Sequence, residues 1–405
     1  MRDPATRSQR HVVAYLATMA ALMAFGVDVS LPALDDLRDH FDLAADDNAV
    51  SQVVSVYLLG MSVGQIIYGP LADRFGRAPV LRAGLGLYAL GALLCTVAPS
   101  LGALLAARAL WGFGAASASV LRTTIARDLY SGDQMARVIS VVMGFFLLGP
   151  IVAPLFGSAV LAVASWRWVF GSAVVLCGGL VAWSFRFGET LDPADRRPLR
   201  MGPTLTAVRR VFTTRVSVAY LLAQALVFGA FFTYLASTQP IFDDVYDRAA
   251  WFPPVFAAGG ALMAVAFFAV NPFIARHGAH RVAVTVLIVG TALGVALLAI
   301  TLAADGRPSF WTYVVGIAVM NGFLTLLTPT AMSLALEPLG DIAGTASGVV
   351  GLVSMAGASL LSAVLNAQVV DTVTPLVAGY VVLGVAGLAC ALASGASQAP
   401  STRSR

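Results

Sequence analysis

Charge is scarce along this chain, so a charge inside apolar sequence is the first place to look for chemistry. Asp28 lies late in the first long apolar run, in Asp28-Val-Ser-Leu-Pro32, and Arg108 lies early in the fourth. Apart from single cysteines and tyrosines, they are read as the only ionisable side chains well inside such runs. Intramembrane charges are expensive and are functional candidates by default. Asp28 precedes the outer end of its run by about six residues and Arg108 follows the outer start of its own by about seven. At ~1.5 Å per residue both lie roughly 10 Å below one membrane surface. At a shared depth the carboxylate can bind a proton or a cationic compound in alternation, with burial and the guanidinium pulling its proton affinity in opposite directions. The alternatives are a structural ion pair, Asp28 capping a break before Pro32, or Arg108 bracing backbone carbonyls. Asp28 is the lone acid here, since Val12 to Val27 is apolar apart from Tyr15 and Thr18.

Three further sets carry a pattern. Gly69-Pro70-Leu-Ala-Asp73-Arg74-Phe-Gly76-Arg77 places charges and a turn glycine between two apolar runs, which reads as a short surface loop with Asp73 near a helix start. Gly149, Ala153 and Gly157 recur every fourth residue, a small-residue stripe for close packing, with Pro150 and Pro154 adding bends. Met23, Tyr57, Gln65, Gln224, Phe228, Phe231, Tyr234 and Asn321 are the polar and aromatic residues placed to line a mid-membrane cavity for an amphipathic small molecule.

Other chemistries lack their residues. His11, His40, His277 and His280 fall in loops or at run ends, and no acid pair or nucleophile–base set is visible. Gly112-Phe-Gly114 is no dinucleotide fingerprint without strand–helix–strand context. Cys95, Cys177 and Cys390 stand alone in apolar runs and read as small buried hydrophobes. The expectation is a non-enzyme with neither cofactor nor metal. Lacking a nucleotide-binding motif, a transporter of this kind is secondary. The pI of about 9.1 comes from arginines spread over loops, not from a nucleic-acid face.

The elements that must position these residues are membrane helices. Of 405 residues, 59% are hydrophobic and 11% charged, and the mean hydropathy is +0.84. That composition describes an all-α polytopic membrane protein. Twelve apolar segments run near 12–34, 50–70, 79–98, 101–124, 136–162, 166–187, 214–236, 252–275, 281–303, 310–333, 343–366 and 374–396. The first is read as an uncleaved helix behind Arg2, Arg7 and Arg10. The chain has no lysine. With a cytoplasmic N-terminus, 20 arginines fall on the cytoplasmic side, Arg122 and Arg137 among them, against four (Arg38, Arg167, Arg248 and Arg307) outside. This bias puts both termini in the cytoplasm. The first external loop is acidic, with Asp35, Asp36, Asp39, Asp42, Asp46 and Asp47. A polar connection over 188–213, with Glu189, Asp192, Asp195, Arg196, Arg197 and Arg200, separates an N-terminal six-helix bundle (1–187) from a C-terminal one (214–405). Pro272-Phe-Ile-Ala275-Arg276-His-Gly278 weakly echoes Pro70–Gly76 at the matching junction, without the carboxylate, so two parallel repeats are expected.

These motifs together carry a resemblance. Gly69–Arg77 resembles the signature loop of the major facilitator superfamily. Asp28-Val-Ser-Leu-Pro32 and Ala107-Arg108-Ala-Leu-Trp-Gly112-Phe-Gly114 resemble the first- and fourth-helix motifs of twelve-span drug exporters. Gly149-Pro150-Ile-Val-Ala-Pro154-Leu-Phe-Gly157 resembles their fifth-helix antiporter motif. With Arg127-Asp128-Leu-Tyr and Asp341-Ile-Ala-Gly-Thr-Ala-Ser-Gly348, the chain is similar to the Bcr/CflA-type drug:proton antiporters, a group that includes phenicol exporters. The resemblance implies a bacterial inner-membrane antiporter, acting as a monomer on small-molecule drugs and protons. It implies that Gly69, Asp73, Arg74, Gly76, Arg77 and Asp128 form a gating latch, with Asp73 capping the neighbouring helix, and that the Gly149–Gly157 stripe seals the two halves. Export of an endogenous metabolite and a non-transporting membrane sensor are the alternatives.

Overall fold

The computed structural model describes residues 8–43, 48–130, 132–196 and 201–395. Arg2, Arg7, Asp46, Asp47, Arg197, Arg200, Arg403 and Arg405 lie outside the described residues, as do the side chains of Arg137, Asp195, Pro272, Ala275 and Asp341. The described chain is helical throughout and contains no strand. In order the helices are α1 (Gln9–Asp28), α2 (Leu34–His40), α3 (Gln52–Phe75), α4 (Arg77–Thr96), α5 (Leu101–Leu129), α6 (Gly132–Leu147), α7 (Gly149–Leu161) and α8 (Trp166–Phe187). There follow α9 (Met201–Thr213), α10 (Arg215–Pro240), α11 (Phe252–His277), α12 (Ala279–Ala303), α13 (Phe310–Thr325), α14 (Leu327–Leu336), α15 (Ala343–Asn366) and α16 (Thr374–Ala393). Among the described residues twelve helical spans are long and apolar enough to cross a membrane, as the hydropathy pattern expects.

Several spans are broken, and the breaks have local causes. The first span stops at Asp28, because Pro32 has no N–H to return to the Asp28 carbonyl, and it resumes as α2 after a short 3-10 turn at Leu31–Ala33. Asp35, Asp36 and Asp39, expected in a loop, are therefore helical. The fifth span divides at Leu148, ahead of Gly149-Pro150, and the tenth at Leu326.

The chain forms two compact units, Met1–Arg200 with Arg248–Gly260, and Met201–Asp247 with Ala261–Arg405. In the first, α5 is the central element, packed on α3 along one side and α4 along another. Two glycines make this possible. A methyl group on Gly112 would land on the Tyr57 carbonyl of α3, and one on Gly114 would land on the Tyr88 backbone of α4. In the second unit α10 packs on α14, α15 and α16, and α12 on α13, α14 and α16. Its interior polar contacts join neutral groups: Ser217 Oγ donates to the Ala335 carbonyl (2.7 Å), and Tyr380 Oη to Asn321 Oδ1 (2.7 Å).

Candidate functional site

The carbonyls of the last turns of α1 are held from three directions. Tyr88 Oη on α4 donates to Leu22 O (3.0 Å), Tyr57 Oη on α3 to Met23 O (3.3 Å), and Arg108 Nη1 on α5 to Gly26 O (2.9 Å). Arg108 Nε donates to Val53 O on α3 (2.9 Å), so one guanidinium ties two helices to a third. A cation suits the carbonyl end of a helix. The guanidinium also lies over the rings of Tyr57 (4.6 Å) and Trp111 (4.8 Å). Trp111 in turn meets Tyr57, Tyr88 and Phe170 edge-on. Arg108 is fully buried.

Asp28 is the last residue of the helix so held. Its side chain is buried, and Oδ1 has no hydrogen-bond partner. Among the described residues Asp28 forms no ion pair with Arg108, whose Nε and Nη1 are spent on carbonyls. The structural ion pair considered from the sequence is therefore not made. Arg108 instead takes the bracing role that was its alternative.

Helix α7 clasps the stretch that carries Asp28. A methyl group on Gly149 would strike Ala24, and one on Gly157 would meet the Val29 carbonyl and the Pro32 ring, so the stripe lies on α1 to either side of Asp28. Ala153 and Pro154 between them are buried. The stripe itself thus packs on α1. Pro150 and Ile151 meet Gly260, 3.2 and 3.3 Å from where its Cβ would stand, in the start of α11 that belongs to the same unit.

At the α3–α4 turn, Gly76 adopts φ +99°, a conformation glycine supplies without strain, and the chain reverses directly into α4. Buried Arg77 donates Nη1 to Asp73 Oδ1 (2.6 Å) and Nε to Asp128 Oδ2 at the end of α5 (2.8 Å). The cap expected from Asp73 is made by another residue. Asp73 sits in the last turn of α3, and Glu189 bonds the α4 N-terminus, accepting from the Arg77 amide (2.9 Å) and the Ala78 amide (3.1 Å). Arg74 is exposed and lies over the adjacent Phe75 ring (5.3 Å), apart from this cluster. Gly69 has open space around it.

The cavity candidates divide between the units. Met23 and Tyr57 are buried in the bracing just described and Gln65 is half-buried, all in the first. Gln224, Phe228, Phe231, Tyr234 and Asn321 lie in the second. There Gln224 is buried with Oε1 unpartnered, Phe231 stacks on Tyr234 (6.2 Å between centroids), and Asn321 is engaged by Tyr380.

Sequence reasoning missed four residues. Tyr88 and Trp111 complete the bracing but look like ordinary core aromatics in an apolar run. Glu189 stands 112 positions from the amide it caps, a separation no motif spans. Arg122, counted with the cytoplasmic arginines, is inside α5 and buried; its place within the apolar run 101–124 was the available signal.

The family model described as Major Facilitator Superfamily matches residues 16–362. The chain is 28% identical over 368 residues to a bicyclomycin resistance protein homolog of Haemophilus influenzae, covering 89% of this chain and 90% of the relative. It is 27% identical over 367 residues to multidrug resistance protein D of Escherichia coli, covering 88% and 89%. Among solved structures it is similar to the xylose transporter of Escherichia coli in a partially occluded inward-open form, with a TM-score of 0.71, 12% identity, and 95% of this chain and 97% of that one covered. At that identity the likeness concerns the fold.

Proposed function

We propose that this chain, which belongs to the Major Facilitator Superfamily, exports small amphipathic compounds, phenicol-like drugs among them, in exchange for protons by alternating access. The observation that carries the reading is Asp28: a buried carboxylate at a helix break, with Oδ1 unpartnered. An uncompensated anion in a dry interior is costly, and a proton or a cationic group on the cargo relieves that cost. Protonation and deprotonation of this carboxylate can then alternate with cargo occupancy, which is the elementary requirement of exchange. Arg108 acts here as a positioning residue. It fixes the carbonyl end of α1, and hence the Asp28 backbone, without neutralising the carboxylate.

In this reading the α7 stripe keeps the Asp28 segment closely packed, so that protons do not leak past it. The Arg77–Asp73–Asp128 cluster, with Glu189 on the α4 N-terminus, holds one conformation until the halves rock about the central site. The relatives named for bicyclomycin and multidrug resistance support drugs as cargo. The arginine bias supports cytoplasmic termini in a bacterial inner membrane, and the transporter works as a monomer. Expression in a pump-deficient bacterium tests this directly. Wild type is expected to raise tolerance to at least one phenicol or other amphipathic drug, and Asp28→Asn to abolish the gain. Unchanged tolerance across a drug panel with wild type defeats the export reading.

A further inference from the structure

Helix α5 carries a second buried arginine, Arg122. Arg122 follows Arg108 by 14 residues, ~21 Å further along the axis and within about 40° round it, so both project from nearly one face. Their surroundings differ. Arg108 gives Nε and Nη1 to carbonyls, whereas Nε and Nη1 of Arg122 are both buried without a hydrogen-bond partner. The side chain is 7% exposed, and the Phe146 ring of α6 lies 5.5 Å from the guanidinium carbon. One turn before and one turn after it stand the small residues Ala118 and Ala126. Among the described residues no carboxylate pairs with it.

A buried guanidinium with free donors beside an aromatic ring is built to accept an anion carried on a flat apolar body. The planar fork matches a carboxylate in two parallel hydrogen bonds, and a ring on the same ligand can lie against Phe146. We propose that Arg122 is a cargo-recognition residue, receiving the carboxylate of an acidic aromatic compound whose ring packs on Phe146. This rests on the export reading and narrows it, because it adds aryl carboxylates to the cargo and places their anionic group far along α5 from Asp28. A cargo anion at Arg122 and a proton at Asp28 then occupy separate places on the first unit.

Binding to purified protein in detergent, with no proton gradient, separates this idea from export itself. Saturation binding of 2-naphthoate is compared with that of the uncharged 2-naphthamide. Wild type is expected to prefer the carboxylate at least tenfold, and Arg122→Gln to bring the ratio within twofold of unity. Arg122→Lys keeps the charge without the planar fork, so it is expected to weaken the preference at least threefold. No preference in wild type, or an intact one in Arg122→Gln, overturns the proposal. Should Arg122→Gln not fold, Arg122→Lys decides: an unchanged preference there overturns it and a weakened one supports it. A wild type that exports neutral drugs yet shows no carboxylate preference refutes this inference and leaves the export reading standing.

Discussion

Arg108 donates to Gly26 on α1 and Val53 on α3, so truncating it strips a donor from two buried carbonyls at once. Bonds to charged groups contribute roughly 1.5–3 kcal/mol each. Arg108→Ala is therefore expected to lower the unfolding temperature in detergent, and Arg108→Lys, which can still serve one carbonyl, to lower it less. Equal losses in the two variants would mean that the contacts with Tyr57 and Trp111 matter more than the carbonyl bonds. Asp28→Asn removes the acid but nearly preserves shape, so its effect should fall on exchange and not on stability. Both residues were legible in the sequence because a charge in an apolar run is conspicuous. Their relation was not: equal depth suggested a pair, whereas the guanidinium turned to carbonyls that no side-chain pattern reveals. Arg122 was misplaced for a simpler reason: it lies close to the cytoplasmic end of its apolar run, 101–124, and was counted with the loop arginines although α5 continues to Leu129.

The seam around α5 and the cap on α4 make claims about whole elements. Gly112 has the Tyr57 carbonyl where a Cβ would stand, while Gly86 on α4 has open space. Gly112→Ala should cost about 1–3 kcal/mol through overpacking. Gly86→Ala should be neutral or should gain up to about 1 kcal/mol from helix propensity. Thermal unfolding of the pair checks this, and equal shifts would contradict the seam. Glu189→Ala removes the cap on α4, with an expected cost of about 0.5–2 kcal/mol. Hydrogen exchange should then quicken at the Arg77 and Ala78 amides and stay unchanged at the far end of α4. The helices themselves were readable from hydropathy. Breaks at Asp28 and Leu148 were foreshadowed by Pro32 and by Gly149-Pro150, but the segment counts treated each span as continuous. The partner of the α7 stripe could not be read, because small residues every fourth position say that something packs closely, not what.

On the scale of the molecule, the distribution of buried charge is uneven. Among the described residues the buried charged side chains are Asp28, Arg38, Arg77, Arg108 and Arg122, all in the first unit. The second unit buries neutral polar groups such as Gln224, Asn321 and Ser354. The proposed proton coupling and gating would therefore fall to the first unit. Asp73→Asn should impair transport more than any substitution at Ala275, the matching position in the degraded echo, and similar effects at both positions would count against that assignment. Twelve spans and the family were within reach of the sequence, because composition and four motifs converge on them. The cap from Glu189 was not, since its contacts close over more than a hundred residues.

The central claim is that Asp28 carries the exchanged proton. It is tested by reconstituting purified protein into liposomes with a trapped pH dye and an imposed pH gradient, then adding an exported phenicol. Wild type is predicted to dissipate the gradient on drug addition, and Asp28→Asn to leave it intact while still binding the drug. An Asp28→Asn protein that dissipates the gradient as fast as wild type would contradict the account.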